Sequence, residues 1–218
     1  IVKVTEKPTG EVSFGAGFSS VELLTGNITV GEKNFDLEKI FTTFPPRGGG
    51  QKARFQASIG FRSQNLNLSF TEPWFLDRPL RLDATGFYNG ASYVSEFYNQ
   101  QNYGASIGLS RRLGDKFPLN HWSVGVTYRP EYYNILDLQE DAPPYYYAST
   151  GDTLKSSLRG SIIYDGRDSF MLARRGQYFE LGAEGAGGPL LGSQNTWKIR
   201  AEYRIFFPLW KEQDWIVS

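Results

Sequence analysis

Two carboxylates four residues apart, Glu180 and Glu184, are the first residues in the chain whose type suggests chemistry. Paired acids can serve as general acid and nucleophile at a glycosidic bond when held about 5–10 Å apart. The period-2 alternation around them places both on one face of a strand, ~13 Å apart, too far for either glycosidase geometry. His121 is the only histidine and there is no cysteine. That set makes a poor metal centre and excludes a thiol nucleophile and a disulfide framework. No Gly-x-Ser-x-Gly elbow or phosphate-binding glycine loop occurs. Asp165, Arg167 and Asp168, followed by Gly176, form the densest charged cluster. It reads either as a lumen or rim network or as a turn cap with solvated charges, and a structural role fits better. The expectation is a protein without catalytic residues, metal or cofactor.

Composition narrows the class. The 218 residues carry 23 Lys+Arg against 23 Asp+Glu, so no nucleic-acid surface is implied. Mean hydropathy is −0.40, yet aromatic residues make up 16% of the chain, with 16 Phe, 13 Tyr and 5 Trp. No apolar run approaches the ~20 residues of a transmembrane helix. Ile1-Val2-Lys3-Val4 reads as the middle of a strand rather than a signal peptide, and Trp215–Ser218 as a strand just begun. Both ends suggest a piece of something longer.

The elements that must position these residues are strands. Helical periodicity is confined to Asp36–Phe41, with Asp36 as a candidate N-cap. Elsewhere apolar and polar residues alternate. Ala53, Phe55, Ala57, Ile59 and Phe61 oppose Lys52, Arg54, Gln56, Ser58 and Arg62; Trp197, Ile199, Ala201, Tyr203, Ile205 and Phe207 oppose Lys198, Arg200, Glu202 and Arg204. The same pattern predicts strands over 11–18, 24–30, 65–70, 80–88, 102–110, 122–129, 154–164 and 177–185. Ten strands result, plus an opening and a closing stub. Most have the ~8–12 residues that a tilted strand needs to cross a bilayer. Compact turns rich in aromatics or Pro (71–79, 113–120, 165–176, 208–213) alternate with more polar or longer loops (91–100, 135–153), which predicts short turns on one rim and long loops on the other.

Alternation alone is compatible with a soluble ligand-binding β-sandwich or a membrane barrel. Three features favour the barrel. Tyr88, Trp122, Tyr128, Tyr164, Tyr178, Trp197, Phe207 and Trp210 sit near strand ends, where a headgroup layer favours amphipathic rings. The polar faces are rich in Gly and Ser, which suits a crowded lumen. They also carry both signs of charge (Arg54, Arg62, Arg81, Asp83, Arg129, Arg159, Glu180, Glu184, Lys198, Arg200, Glu202 and Arg204), which can pair across a lumen. The predicted fold is all-β, an antiparallel up-and-down transmembrane β-barrel, with ten to eleven strands present.

Ser69-Phe70-Thr71-Glu72-Pro73-Trp74-Phe75-Leu76-Asp77-Arg78-Pro79 resembles the turn after the fourth barrel strand in the BamA family of outer-membrane assembly factors. Further stretches resemble that family in the same order: Val2–Gly10 the passage from the final POTRA domain into the barrel, Val12–Phe18 its Gly/Phe-alternating first strand, Glu32-Lys33-Asn34-Phe35 its second turn, and Tyr164–Asp168 with Arg175-Gly176 its eighth-strand turn. The family's Val-Arg-Gly-Phe/Tyr lumen-loop motif is absent from these 218 residues.

The resemblance implies that residues 1–8 are the last strand of a POTRA-like periplasmic domain. Residues 9–218 are then the N-terminal two-thirds of a Gram-negative outer-membrane barrel of about sixteen strands. It implies an insertase that performs no chemical reaction. Its clients would be unfolded β-barrel proteins, its surroundings outer-membrane lipids, and its partners accessory lipoproteins and periplasmic chaperones. Val12, Ser13, Phe14, Gly15, Ala16, Gly17 and Phe18 would form the gate strand on which a client strand pairs; Gly15 and Gly17 either weaken that strand or merely accommodate lumen packing. Glu72, Pro73, Trp74 and Phe75 would sit at the membrane interface, where an aromatic rim sets barrel depth and thins the adjacent bilayer. A related polypeptide-transporting barrel, such as a two-partner secretion pore or TamA-like protein, remains the alternative.

Overall fold

The computed structural model describes residues 8–20, 22–92, 95, 97–147, 151–208 and 216–217. They form one antiparallel sheet of eleven strands in strict sequence order: β1 (Gly10–Ser19), β2 (Leu23–Phe35), β3 (Gln51–Gly60), β4 (Ser63–Glu72), β5 (Arg81–Ala91), β6 (Asn99–Arg112), β7 (Trp122–Leu136), β8 (Gly151–Asp165), β9 (Gly176–Ala186), β10 (Thr196–Pro208) and the short β11 (Ile216–Val217). The ten predicted complete strands are present, and the closing stub is β11. The predicted POTRA strand, save Pro8, lies outside the described residues, as do Trp210 and Trp215.

Register explains why the alternation survives across so many strands. In paired antiparallel strands, residues directly opposite one another share a face. One unbroken row runs Phe14, Ile28, Ala57, Leu66, Tyr88, Tyr103, Tyr132, Leu154 across eight strands. The neighbouring row is Ser13, Thr29, Gln56, Asn67, Phe87, Gly104, Glu131, Lys155. The sheet therefore has one apolar face and one polar face. A one-residue slip anywhere would exchange them.

What lies against the apolar face decides between sandwich and barrel. In a sandwich a second sheet covers it. Here Phe14 stands 76% exposed and Trp197 80% exposed, and the only buried hydrophobic residues among those described are Ala57, Ala142, Ala173 and Ala186. The chain's accessible surface is 15787 Å², whereas a globular protein of this mass would show about 10,000 Å². Among the described residues no second sheet covers the apolar face, which excludes the soluble sandwich.

Two local expectations are corrected. Asp36–Phe41 forms turns, not a helix. Asp36 does accept the Glu38 N–H at 3.1 Å, but six residues ahead of Thr42, Thr43, Phe44 and two prolines are too few to propagate a helix. The connections named from the sequence do separate by rim, 71–79, 113–120 and 165–176 where β1 begins and 91–100 and 135–153 opposite, but length does not set the rim. The rim where β1 begins carries the connections 36–50, 73–80, 113–121 and 166–175, while the opposite rim has the tight turns 20–22 and 61–62 as well as the long 137–150. Arg62 consequently sits in a turn rather than on the polar face.

Candidate functional site: an edge strand and the rim beside it

β1 pairs with β2 over ten consecutive residues, Gly10↔Glu32 to Ser19↔Leu23, with no irregularity. On its other side it has no strand partner among the described residues. Val12, Phe14 and Phe18 point outward and are exposed. Ser13, Gly15 and Gly17 point inward. A Cβ on Gly15 would come within 2.5 Å of Asn27 Oδ1, the end of a flexible side chain, whereas one on Gly17 would meet nothing within 4 Å. Lumen packing therefore accounts for Gly15 in part and for Gly17 not at all.

The polar face beside β1 is charged and paired. Glu11 lies 3.3 Å from Arg54 and 3.9 Å from Lys33. These residues, with Lys52, Ser69 and Thr71, line a cleft of about 330 Å³. Further round, Arg159 bonds Glu180 at 2.5 Å and Lys155 bonds Glu184 at 3.2 Å. Glu180 and Glu184 are thus held by separate cations, not by each other. Arg81 pairs with Asp83, and Arg204 with Glu202. Glu131 is almost wholly buried and accepts from Arg129 at 3.0 Å and Asn102 at 2.6 Å. The expected mixed-sign pairing is present, mostly between neighbouring strands or along one strand.

Glu72 brackets its turn. One oxygen accepts the Trp74 N–H at 3.0 Å and the other accepts Gln51 Nε2 at 2.7 Å. Pro73 and Trp74 follow, Phe75 N–H closes onto the Leu80 carbonyl at 2.8 Å, and Trp74 is left exposed while Phe75 is half-buried. The Glu32-Lys33-Asn34-Phe35 stretch does similar work. Glu32 binds Arg47 at 2.6 Å, Asn34 Oδ1 accepts the Gly50 N–H at 2.9 Å, and Phe35 meets Phe70 edge to face. Arg47 and Gln51 complete these two brackets across the intervening loop. Their signal in the sequence was only that of polar loop residues, because the partners stand 15 and 21 positions away.

Asp165, Arg167, Asp168 and Gly176 come together in the turn between β8 and β9. Arg167 binds Asp165 with two bonds, Nε–Oδ1 2.8 Å and Nη2–Oδ2 2.7 Å. The paired carboxylate raises the Arg167 pKa above its ordinary value. The guanidinium also lies 5.0 Å over the Tyr178 ring. Tyr178 itself donates to Glu180 at 2.8 Å, so it faces the lumen, not the lipid interface expected of it. Its strand position, two residues before Glu180, fixes that face. Asp168 Oδ1 accepts the backbone N–H groups of Arg174 and Arg175, which hold its carboxyl below the usual carboxylate range. His121 Nδ1 lies 2.9 Å from the Asp165 carbonyl oxygen, and the Trp122 and Tyr164 rings stand 5.1 Å apart beside it. The cluster locks the turn.

Residues 47–218 match the Omp85 superfamily domain. The chain belongs to the Omp85 superfamily. Over 209 residues, 95% of its length, it is 28% identical to the outer membrane protein assembly factor BamA of Nitratidesulfovibrio vulgaris, covering 24% of that protein. Over 189 residues, 85% of its length, it is 23% identical to BamA of Neorickettsia risticii, covering 23% of it. The chain thus spans about a quarter of the length of these relatives. Its fold is similar to the crystal structure of Haemophilus ducreyi BamA lacking POTRA domains 1–3, with a TM-score of 0.69 at 18% identity, over 97% of this chain and 40% of that one. The Omp85 sheet described above is therefore part of the wall of an up-and-down barrel, and its place is the bacterial outer membrane. In this frame the outward rows face lipid and the inward ion pairs line the lumen.

Proposed function

We propose that this chain is the first-strand side of an outer-membrane protein assembly factor that folds and inserts β-barrel clients, using β1 as the templating edge. The observation that carries the reading is the position and regularity of β1: it is the first strand of a sequential sheet, ten residues in an unbroken ladder to β2, with its other edge turned to whatever completes the barrel. In hydrocarbon each unpaired backbone group costs several kcal/mol, so such an edge has to be closed by the rest of the barrel or by an incoming strand. Main-chain pairing to an edge gives affinity without requiring a particular client sequence. The BamA names of the relatives support the assembly role. Accessory lipoproteins and periplasmic chaperones would deliver clients at the rim where β1 begins.

A proline scan of residues 12–18 in the full-length protein tests this. Proline removes one N–H, and successive N–H groups of a strand point to opposite edges. The expected result is a period-2 phenotype. One set of alternate positions weakens the β1–β2 ladder and the fold. The other set leaves the barrel folded but stops client assembly. Folded variants with normal assembly at every position of that second set would contradict the proposal.

A further inference from the structure

All four described connections on the rim where β1 begins end in exposed apolar side chains: Phe41 and Phe44 in 36–50, Leu76 in 73–80, Phe117 in 113–121, and Phe170 and Met171 in 166–175. Each is between 71% and 96% exposed. Leu76 is held there in the left-handed region, at φ 58 and ψ 38, a conformation that is rare for a non-glycine residue and strained. Asp77 follows at φ 55, and bonds from the Asp77 N–H to the Trp74 carbonyl and from the Arg78 N–H to the Phe75 carbonyl close the turn that carries Leu76 into the open.

The depth of these tips follows from the strands. On β10 the outward residues run from Trp197 to Phe207, ten steps along the strand. At about 3.4 Å per step and a tilt of about 40°, they span about 25 Å, the height of the apolar band of an outer-membrane barrel. On β7 the band begins at Trp122, and the 113–121 turn precedes it directly. The turns therefore emerge where hydrocarbon ends. The strand order is sequential, so the four connections follow one another around the rim. A single protein partner would select one patch; a planar leaflet selects the same character in every turn it meets. Arg78, Lys116 and Arg175, exposed and without an ion pair to another described residue, stand among the tips, with Asp77 and Asp115 beside them. Mixed charge flanking apolar tips matches a zwitterionic headgroup layer over acyl chains.

We infer that these four turns form a collar that inserts into the phospholipid leaflet on the β1-start side, with its apolar tips at the headgroup–acyl boundary. The inference rests on the lipid-facing wall and is independent of the role of β1. The chain contains no cysteine, so single cysteines at Phe41, Leu76, Phe117 and Phe170 of the full-length protein, cleared of any cysteine elsewhere, can carry a nitroxide. Reconstituted into phosphatidylethanolamine–phosphatidylglycerol vesicles, each label is exposed to oxygen, which partitions into acyl chains, and to a polar nickel chelate, which does not. Ile199 on the outward face and Gln194 in the opposite-rim loop calibrate lipid and water. The expected result is an oxygen-to-chelate ratio at all four tips shifted from the Gln194 value towards that of Ile199. Tips with the Gln194 ratio would overturn the inference, because they stand in water. Tips shielded from both agents would overturn it in favour of docking onto protein.

Discussion

A methyl group at Gly176 would collide with the Gly166 carbonyl and lie 2.8 Å from Arg167 Cα, and the residue sits at φ +113. Gly176→Ala should destabilise the turn lock by about 1–3 kcal/mol, read as a lower thermal unfolding midpoint of the detergent-folded barrel. Asp168 makes a prediction of different form. Its folded pKa is depressed by the two N–H donors, so its contribution is complete above the unfolded value of about 3.9 and is lost as pH falls through the folded value. The stability deficit of Asp168→Asn should therefore be present at neutral pH and shrink at pH values below that window. A deficit independent of pH would contradict it. At the buried Glu131, substitution by Leu removes the acceptor of the half-buried Asn102 and of the exposed Arg129 and should cost about 1 kcal/mol, read as a lower thermal unfolding midpoint. The charged types at these sites were legible in the sequence; their partners were not. Asp168 could be seen as a turn residue, but its bonds to the backbone of residues six and seven positions on depend on the path of the loop. Tyr178 was misread because a tyrosine near a strand end suits a girdle equally well on either face until register is known.

At the scale of elements, strand existence was legible because each outward row must stay apolar along its whole length. Strand ends were less so. β7 continues from 129 to Leu136 through Pro130, a residue that argues against a central strand because it cannot donate to a ladder. The β6–β7 ladder has a gap there, since Ala105 and Pro130 are not paired, while Pro130 still pairs with Ser156 on the β8 side. The supposed helix at 36–41 failed because a capping Asp also starts a turn. β1 yields the prediction specific to function. Gly17→Val meets no steric obstacle, so the folded barrel should be unchanged. A β-branched residue favours the strand by up to about 1 kcal/mol, which would reduce an opening equilibrium about fivefold. Client assembly in proteoliposomes should slow accordingly, while barrel stability stays equal or rises. A variant that assembles clients at the normal rate would show that glycine softness in β1 is not used.

At the scale of the whole chain, the described residues form a sheet without a core of its own, held by ladders and lumen ion pairs. This explains why a mean hydropathy that reads as soluble was compatible with a membrane wall: the polar half of every strand is hidden in the lumen. Alternation could not by itself distinguish sandwich from barrel, because the distinction lies in what covers the apolar face, and that is a property of the assembled sheet. The family likeness rests on the turns instead, where Glu32, Glu72, Asp165 and Gly176 fix local geometry and so leave recognisable text. The central claim, that β1 is the edge on which clients fold, is tested most directly by placing single cysteines at residues 12–18 of the full-length protein and stalling a barrel client that carries cysteines along its own edge strand. The account predicts disulfide crosslinks at successive positions in one antiparallel register, moving by one residue on the client for each residue on β1. The absence of crosslinks along β1 while the client still assembles, or crosslinks with no register, would contradict it.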